Sequence, residues 1–135
     1  MRESDRAFVL HSWVTSYAAR SRDARDYEGA AFSLFSTDYA HIVRDLVSRS
    51  NVLVACLKDA PDTVIGWMAI ENDALHYVLV KPRWRRMGVA RWLLAALAGI
   101  PLVVTHRTSL SAKCPVPKEW IYRRFRIWPA TKEAS

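Results

Sequence analysis

The stretch from Val80 to Ala90 constrains the fold most, because it joins a strand to a helix through a short basic loop. An apolar run from Leu75 to Val80 ends at Lys81-Pro82, and apolar residues then recur at positions 89, 92, 93, 96 and 97. This spacing of one helical face predicts a helix over residues 89–98. The first N–H groups of a helix lack an intrahelical partner, and Gly88 lets a ligand approach them closely. The loop therefore predicts a phosphate-binding site.

Strands are predicted on both sides of this loop. Three apolar runs precede it, Asn51–Leu57, Thr63–Ile70 and Ala74–Val80, and the turn residues between them indicate an antiparallel meander. The turns are Asp59–Asp62 and Asn72-Asp73. After the helix, Gly99 is a natural stop and Pro101–Thr105 is a short strand, so strand, helix and strand predict a parallel pair.

The segments before the meander and after the last predicted strand are a mixture of predicted helices and loops. Ala7–Val14 is a strand or the start of a helix, because so short an apolar run has no decisive period. Ser21–Glu28 is a polar loop between two short helical pieces. Apolar positions 39, 42, 43, 46 and 47 predict a helix with Ser36, Thr37 or Asp38 as its N-cap. His106–Val116 is irregular, and Pro117 opens a last short helix through Phe125.

Length and composition fit a single domain over residues 1–135. No apolar run approaches the ~20 residues that span a bilayer, and the N-terminus has no signal-peptide pattern, so we expect a cytoplasmic protein without membrane contact. Cys56 and Cys114 have no metal-type spacing and are interpreted as free thiols.

Positive charge is concentrated in the second half of the chain. Residues 68–135 hold 12 of the 20 basic residues but only 4 of the 13 acidic ones. Part of this charge surrounds the loop, at Lys81, Arg83, Arg85, Arg86 and Arg91. The remainder is either ordinary solvated surface or a contact for a second polyanion, most plausibly DNA or RNA. The second group comprises Arg107, Lys113, Lys118, Arg123, Arg124, Arg126 and Lys132.

The pattern Arg85-x-x-Gly88-x-Ala90, preceded by Val80-x-Pro82, resembles the acetyl-CoA-binding signature of the GNAT superfamily of N-acetyltransferases. The resemblance implies a mixed α/β fold over about residues 6–129: a central mixed sheet with an antiparallel meander, a splayed parallel pair and flanking helices. It favours Ala7–Val14 as the first strand. The chain has room for only one further strand, near Phe125–Trp128, so its acceptor pocket is open or completed by the second subunit of a homodimer.

The same resemblance implies acetyl-CoA as co-substrate, with the pyrophosphate on the loop and the pantetheine arm on the backbone of the strand before it. The residues that would bind it are Val78, Leu79, Val80, Arg85, Arg86, Met87, Gly88, Val89, Ala90 and Arg91.

Three residues are candidates for proton transfer. By resemblance, Tyr122 is the general acid that protonates the departing thiolate, although Arg126 and Ile127 replace the usual Gly-Phe that follows it; the alternative is a packed tyrosine. His76 occupies a strand position where some members place a histidine, and it is either a base or a half-buried sheet residue. Glu71 is a substitute base or a solvated carboxylate at a strand end.

The other aromatic and histidine residues suggest packing. Three tryptophans fall on predicted core positions: Trp13, Trp67 and Trp92. The other three are expected either to stack on nucleic-acid bases or on the adenine of CoA, or to cover the core; they are Trp84, Trp120 and Trp128. His11, His41 and His106 have no metal-ligand spacing, so no metal is expected.

The sequence therefore predicts an acetyl-CoA-dependent N-acetyltransferase that acts by direct transfer to an amine. Basic charge disfavours a basic peptide as acceptor and favours a small amine or an acidic or nucleic-acid-linked one. The chain also resembles small phage-encoded members of the superfamily, some of which modify DNA bases. A non-catalytic module that binds acyl-CoA or nucleic acid is the alternative.

Overall fold

The computed structural model of the protein describes residues 1–20, 30–97, 103–106 and 121–122. In chain order they form helices α1 (Glu3–Arg20) and α2 (Ala30–Arg49), strands β1 (Asn51–Leu57), β2 (Ala60–Glu71) and β3 (Ala74–Val80), a 3-10 turn (Pro82–Trp84), helix α3 (Val89–Ala95), and strands β4 (Val103–Val104) and β5 (Ile121–Tyr122). The strands form one sheet in the order β1-β2-β3-β4-β5, antiparallel from β1 to β3 and parallel from β3 to β5. The predicted mixed α/β fold, with its meander, parallel pair and flanking helices, is confirmed.

Helices α1 and α2 pack together against one face of the sheet. On α1 the buried side chains recur every four residues, at Val9, Trp13 and Tyr17, which places them on a single helical face. They join a hydrophobic cluster with α2 and with the sheet residues Trp67 and Leu79. The Asp5 carboxylate fixes the start of α1, because it accepts a hydrogen bond of 3.2 Å from the Arg2 backbone N–H.

Helix α3 covers the opposite face of the sheet. Leu93, Leu94 and Leu97 pack there against Met68 and Leu75 in a second hydrophobic cluster. The sheet is therefore buried on both faces, in keeping with the nearly continuous apolar sequence of β3.

The prediction of a first strand at Ala7–Val14 is wrong. This segment lies within α1, which continues to Arg20. The eight residues are too few to show the four-residue recurrence that extends to Tyr17, and Ser12 also accommodates the helix by donating from Oγ to the Phe8 carbonyl at 2.6 Å. The expected short helical pieces are in fact helices of 18 and 20 residues.

Three predicted boundaries also need correction. Helix α2 begins at Ala30, so the predicted caps Ser36, Thr37 and Asp38 lie inside it. Strand β2 begins at Ala60, within the predicted turn, because β1 and β2 stay paired as far as Leu57 and Ala60. Ile121 and Tyr122 are a strand and not part of a helix, because they extend the sheet beside β4.

Trp92 is not a core residue: 67% of it is exposed. The apolar stripe of α3 advances by four residues, from Val89 to Leu93 to Leu97, with Leu94 beside it, so Trp92 falls outside the stripe. Trp13 and Trp67 are fully buried, as predicted.

Several predictions concern residues outside the described part of the chain. They include the loop at Ser21–Glu28, the stop at Gly99, most of the irregular segment, Cys114, Trp120, Trp128, the strand near Phe125–Trp128 and the second basic group. Cys56 is free and exposed. Among the described helices, none combines the length and the apolarity that crossing a membrane requires.

Candidate functional site

The site is organised by an extra residue in β3. Tyr77 pairs with Ala69 of β2, whereas Leu75 pairs with the next residue, Ile70, so His76 has no position of its own in the register. Such a β-bulge bends the strand and changes which of its backbone groups face each neighbour.

This change in direction can be followed through the hydrogen bonds. On the N-terminal side of the bulge, which we call its lower side, the Leu75 carbonyl faces β4, because it accepts from the Thr105 N–H at 3.1 Å. On the C-terminal, upper side, the Lys81 N–H donates to the Ile65 carbonyl at 2.9 Å, so the backbone of every second residue counted back from Lys81 faces β2. Backbone groups of Leu79 therefore face β2, and those of Val78 and Val80 face the opposite edge. The predicted pantetheine contact fits Val78 and Val80 better than Leu79.

The described pairing of β3 with β4 covers Ala74 with Val103 and Leu75 with Val104, and β3 continues for five residues beyond it. We call the space beside this edge of β3, beyond Leu75, the fork. The backbone of Val78 and the N–H of Val80 face into it, which makes the fork suited to hold an extended polar chain by main-chain hydrogen bonds.

The basic loop continues directly from the upper end of β3. Pro82–Trp84 form one 3-10 turn, and the Arg85 side chain folds back so that Nε donates to the Val80 carbonyl at 3.0 Å. Arg86 and Gly88 both have left-handed backbone conformations, with φ of 64° and 83°. A Cβ at Gly88 would meet nothing within 4 Å, so glycine is favoured there by its φ and not by lack of space.

Helix α3 leaves its first backbone donors without a partner in the helix. The Trp92 N–H donates to the carbonyl of the N-cap residue Gly88 at 2.9 Å. The N–H groups of Val89, Ala90 and Arg91 precede this bond, so they have no acceptor within the helix. We call these three groups the N–H row. Successive N–H groups around left-handed residues form an anion-binding concavity, and the exposed Arg86 and Arg91 add positive charge to it.

His76 lies at the bulge with its side chain fully buried. Its Nε2 is 3.0 Å from Glu71 Oε1, and its Nδ1 is 2.9 Å from Thr105 Oγ1. The structure therefore brings the two predicted bases together. Both ring nitrogens of His76 are occupied by protein groups, so His76 has no nitrogen directed at a ligand.

Glu71 is held from two sides. Its other carboxylate oxygen lies 3.2 Å from Arg49 Nε of α2, an ion-pair contact in which the N–H is not aligned for a hydrogen bond. The Glu71 side chain is 19% exposed, so it is neither sealed in the core nor a freely solvated carboxylate.

Thr105 and His106 are site residues that the sequence did not reveal. Thr105 Oγ1 contacts both histidines, at 2.9 Å from His76 Nδ1 and 2.8 Å from His106 Nδ1, and it lies 3.5 Å from the His76 carbonyl. His106 was considered only as a metal ligand. The one available signal was its place directly after the strand predicted to run beside β3.

Four aromatic rings surround His106, with ring centroids 5.1–5.8 Å from its imidazole; they belong to Trp13, Tyr17, Tyr39 and Tyr77. Burial lowers the pKa of His106 to about 3, and the nearby His76 adds to the effect. His106 is therefore a neutral imidazole at physiological pH.

Tyr122 lies farther away in the sheet. It pairs with Val104, which pairs with Leu75, so two strand spacings, roughly 10 Å, separate it from β3. It is level with the lower end of β3 and not with Val78 and Val80. The structure does not bring Tyr122 to the fork, and its role as general acid stays a prediction. The described residues contain no group of histidine, cysteine and carboxylate side chains that could hold a metal ion.

Comparison with solved structures finds similarity to YjaB from Escherichia coli, whose apo form was solved in solution. The TM-score is 0.51 at 22% identity, over 73% of this chain and 61% of that chain. The chain thus corresponds to less than two thirds of the length of YjaB, and at this identity the likeness shows the fold alone. No family model matches the sequence, and a search of the curated proteins gives no significant match.

Proposed function

We propose that this protein is an acetyl-CoA-dependent N-acetyltransferase of the GNAT type that transfers acetyl directly from CoA to an amine. The N–H row carries the proposal. Three consecutive donors at the start of α3 follow the left-handed residues Arg86 and Gly88 and have exposed arginines beside them, which suits them to a multiply charged anion such as a pyrophosphate. The signature that suggested acetyl-CoA, Arg85 to Ala90, overlaps these residues.

The fork supports the same ligand. An anion on the N–H row lies at the upper end of β3, where the polar backbone of Val78 and Val80 begins. The pantetheine arm carries two amides and can pair with such a strand edge, while the thioester at its end supplies the acetyl group. This chain would then hold the arm extended and exclude water from it, with the acceptor amine entering the fork.

Trp92 adds an aromatic surface beside this site. Its N–H bonds the Gly88 carbonyl, so it lies one turn after Gly88, and helical side chains lean toward the N-terminus. An exposed indole next to an anion site is suited to stack on a purine, which supports an adenine nucleotide as part of the ligand.

The acceptor class is inferred from charge. The excess of basic residues after residue 67 disfavours polycationic acceptors and favours a small amine, or an acidic or nucleic-acid-linked one. Contact with DNA or RNA through the basic half, assembly as a homodimer and a cytoplasmic location remain predictions from the sequence.

Thermal unfolding with and without ligands tests the proposal. Acetyl-CoA at 100 times its dissociation constant should stabilise the protein by ~2.7 kcal/mol, and desulfo-CoA should act similarly because it retains the pyrophosphate and the arm. Separate samples with single-stranded and duplex DNA test the non-catalytic alternative, since stabilisation by DNA alone would favour a nucleic-acid-binding module. No shift with either CoA ligand would overturn the proposal.

Transfer itself is measured as CoA release from acetyl-CoA with a panel of neutral amines, acidic amino acids and an oligonucleotide. Release that depends on one of these amines would support the enzyme. Binding of acetyl-CoA without release in any sample would instead favour the non-catalytic acyl-CoA module.

A further inference from the structure

The Arg85 side chain closes the basic loop onto the upper end of β3. Its Nε donates to the Val80 carbonyl at 3.0 Å. Arg85 is half-buried, whereas Arg83 and Arg86 on either side of it are exposed. Within the loop, Arg85 is therefore the arginine whose side chain is directed at the protein's own main chain.

The carbonyl that Arg85 covers faces the fork. Lys81 N–H donates to the Ile65 carbonyl of β2, and Val80 stands opposite Gly66 in the next position of the register. In an antiparallel pair the backbone groups of neighbouring residues face opposite edges, so the N–H and the carbonyl of Val80 both face away from β2. Because Nε of Arg85 already occupies the carbonyl, the N–H is the backbone group that Val80 presents to the fork.

This covered carbonyl lies at the end of β3 where the proposed function places the diphosphate of the ligand. A carbonyl oxygen carries partial negative charge, and a diphosphate at neutral pH has no hydrogen to donate to it. An uncovered Val80 carbonyl would therefore lose its hydrogen bonds to water beside an anion without gaining a new one. An amide N–H of a ligand, in contrast, would satisfy it.

We propose that Arg85 is a positioning residue that acts through Val80 and determines which part of the ligand lies at the upper end of β3. By occupying the Val80 carbonyl, it makes this end suited to an anion, while the Val78 carbonyl stays available for an amide. The role rests on the proposed function, because acetyl-CoA is the ligand that has both an anionic end and an arm with amides. It differs from direct contact between Arg85 and the ligand, which the signature had suggested.

The separation of these two groups gives the ligand a direction. Val78 and Val80 are two residues apart, which is roughly 7 Å along an extended strand. Because the anionic end is favoured beside Val80 and the amides beside Val78, an extended ligand lies with its acyl end toward the bulge at His76.

Two substitutions separate the hydrogen bond of Arg85 from its charge. Arg85→Gln keeps a donor without the charge, because Nε2 of glutamine is as many bonds from Cα as Nε of arginine. Arg85→Met has a methyl group at that position and neither donor nor charge. Arg83→Met is the matched control, since it removes the same charge from an exposed side chain that lies over the ring of Trp84.

The dissociation constant of desulfo-CoA is measured for these proteins at low salt and at about 0.5 M salt, where charge attraction is largely screened. At high salt, Arg85→Met should bind about 30-fold more weakly than the wild type, whereas Arg85→Gln and Arg83→Met should stay within about threefold of it. Equal losses in Arg85→Gln and Arg85→Met at high salt would overturn the proposal, because the hydrogen bond to Val80 would then have no effect of its own.

Pantetheine, which has the arm without the diphosphate, shows whether the effect is confined to the anionic end. Its binding is followed through the Val78 N–H resonance, which also reports weak binding, and should change less than about threefold in Arg85→Met. A loss as large as that for desulfo-CoA would contradict the proposal, since it would mean that the whole edge of β3 is disturbed.

Side-chain NMR tests the contact without a variant and therefore applies even if Arg85→Met does not fold. The Nε–H of Arg85 should exchange with water at least about tenfold more slowly than the Nε–H of Arg83, and it should remain slow when desulfo-CoA is bound. Equal exchange rates at the two arginines would rule out the role of Arg85.

The outcomes separate the two proposals. A wild type that binds neither acetyl-CoA nor desulfo-CoA refutes the proposed function, whatever the exchange rates are. A wild type that binds both, together with an Arg85→Met protein of the same affinity, refutes the role of Arg85 alone.

Discussion

The burial and the contacts of single residues at this site depend more on their neighbours in the fold than on the residue type. Trp67 and Trp92 are both tryptophans on predicted core positions, yet Trp67 is fully buried and Trp92 is 67% exposed. His106 looked inert in the sequence and lies among aromatic rings at the end of a hydrogen-bonded chain. The exposure and the bonding partners of a side chain depend on how the helices and strands pack together. The roles of single residues were therefore harder to predict from the sequence than the helices and strands.

The two tryptophans give a direct comparison. Trp67→Ala removes a ring from the centre of a packed cluster and should cost about 3–5 kcal/mol of unfolding free energy. Trp92→Ala should cost under about 0.5 kcal/mol but weaken acetyl-CoA binding, because the indole is proposed to stack on adenine. Urea denaturation and ligand titration measure the two effects, and a loss of stability in Trp92→Ala similar to that in Trp67→Ala would contradict the structure.

The lowered pKa of His106 predicts that the free energy of unfolding depends on pH. Its pKa in the folded protein is lowered to about 3 from 6.5, so the unfolded state binds the proton more tightly. This contribution is fully present above about pH 6.5 and is lost as pH falls toward 3, by on the order of a few kcal/mol, since one pKa unit is about 1.4 kcal/mol.

Denaturation at a series of pH values checks this dependence. His106→Asn keeps a donor toward Thr105 and should flatten the acid limb, whereas the control His11→Asn, on an exposed position of α1, should not. Equal acid limbs for wild type and His106→Asn would show that another group is responsible.

At the scale of elements, sequence reasoning succeeded where the pattern is local. The apolar runs of β1, β2 and β3, with turn residues at Asn72-Asp73, gave strands close to those observed, and the loop followed by α3 was predicted correctly. Helix α1 was mistaken because its recurrence at Val9, Trp13 and Tyr17 extends beyond the short run considered. The bulge at His76 was not foreseen, since no residue in Leu75–Tyr77 departs from an ordinary strand pattern.

Strands β2 and β3 are in close backbone contact at Gly66. A Cβ on this residue would lie 2.8 Å from the Leu79 carbonyl oxygen, so one strand must shift. Gly66→Ala should destabilise the protein by about 1–3 kcal/mol and weaken acetyl-CoA binding, because β3 supplies the backbone that faces the fork. Thermal unfolding and ligand titration test this. Gly88→Ala is the matched case, where strain arises only from the backbone φ of 83°, and a Gly66→Ala protein as stable as wild type would show that β3 can move.

At the scale of the whole molecule, charge is the property most visible in the sequence. The net charge of +7 arises entirely after residue 67, where four of the basic residues lie in the described loop and a fifth, Arg91, lies in α3. The other seven are outside the described part of the chain. The proposed acetyl-CoA site therefore rests on the described loop and strand, whereas the proposed acceptor class rests on charge alone.

This charge predicts a salt-dependent affinity for acetyl-CoA. Arg86→Gln should weaken binding and reduce its dependence on salt, because Arg86 is exposed beside the N–H row. Arg44→Gln removes the same charge from the exposed surface of α2 and should change binding little. Titrations at low and high salt measure both, and equal effects of the two substitutions would mean that only overall charge attracts the ligand.

The bulge at His76 has an evolutionary consequence. Leu75 and Tyr77 are two residues apart but belong to different hydrophobic clusters on opposite faces of the sheet, whereas regular alternation would place them on one face. Deleting His76 would therefore keep Leu75 paired with Ile70 and Tyr77 paired with Ala69, and would remove only the imidazole. A deletion elsewhere in β3 would instead turn the residues that follow it to the wrong face, so position 76 is where this strand tolerates a change of length.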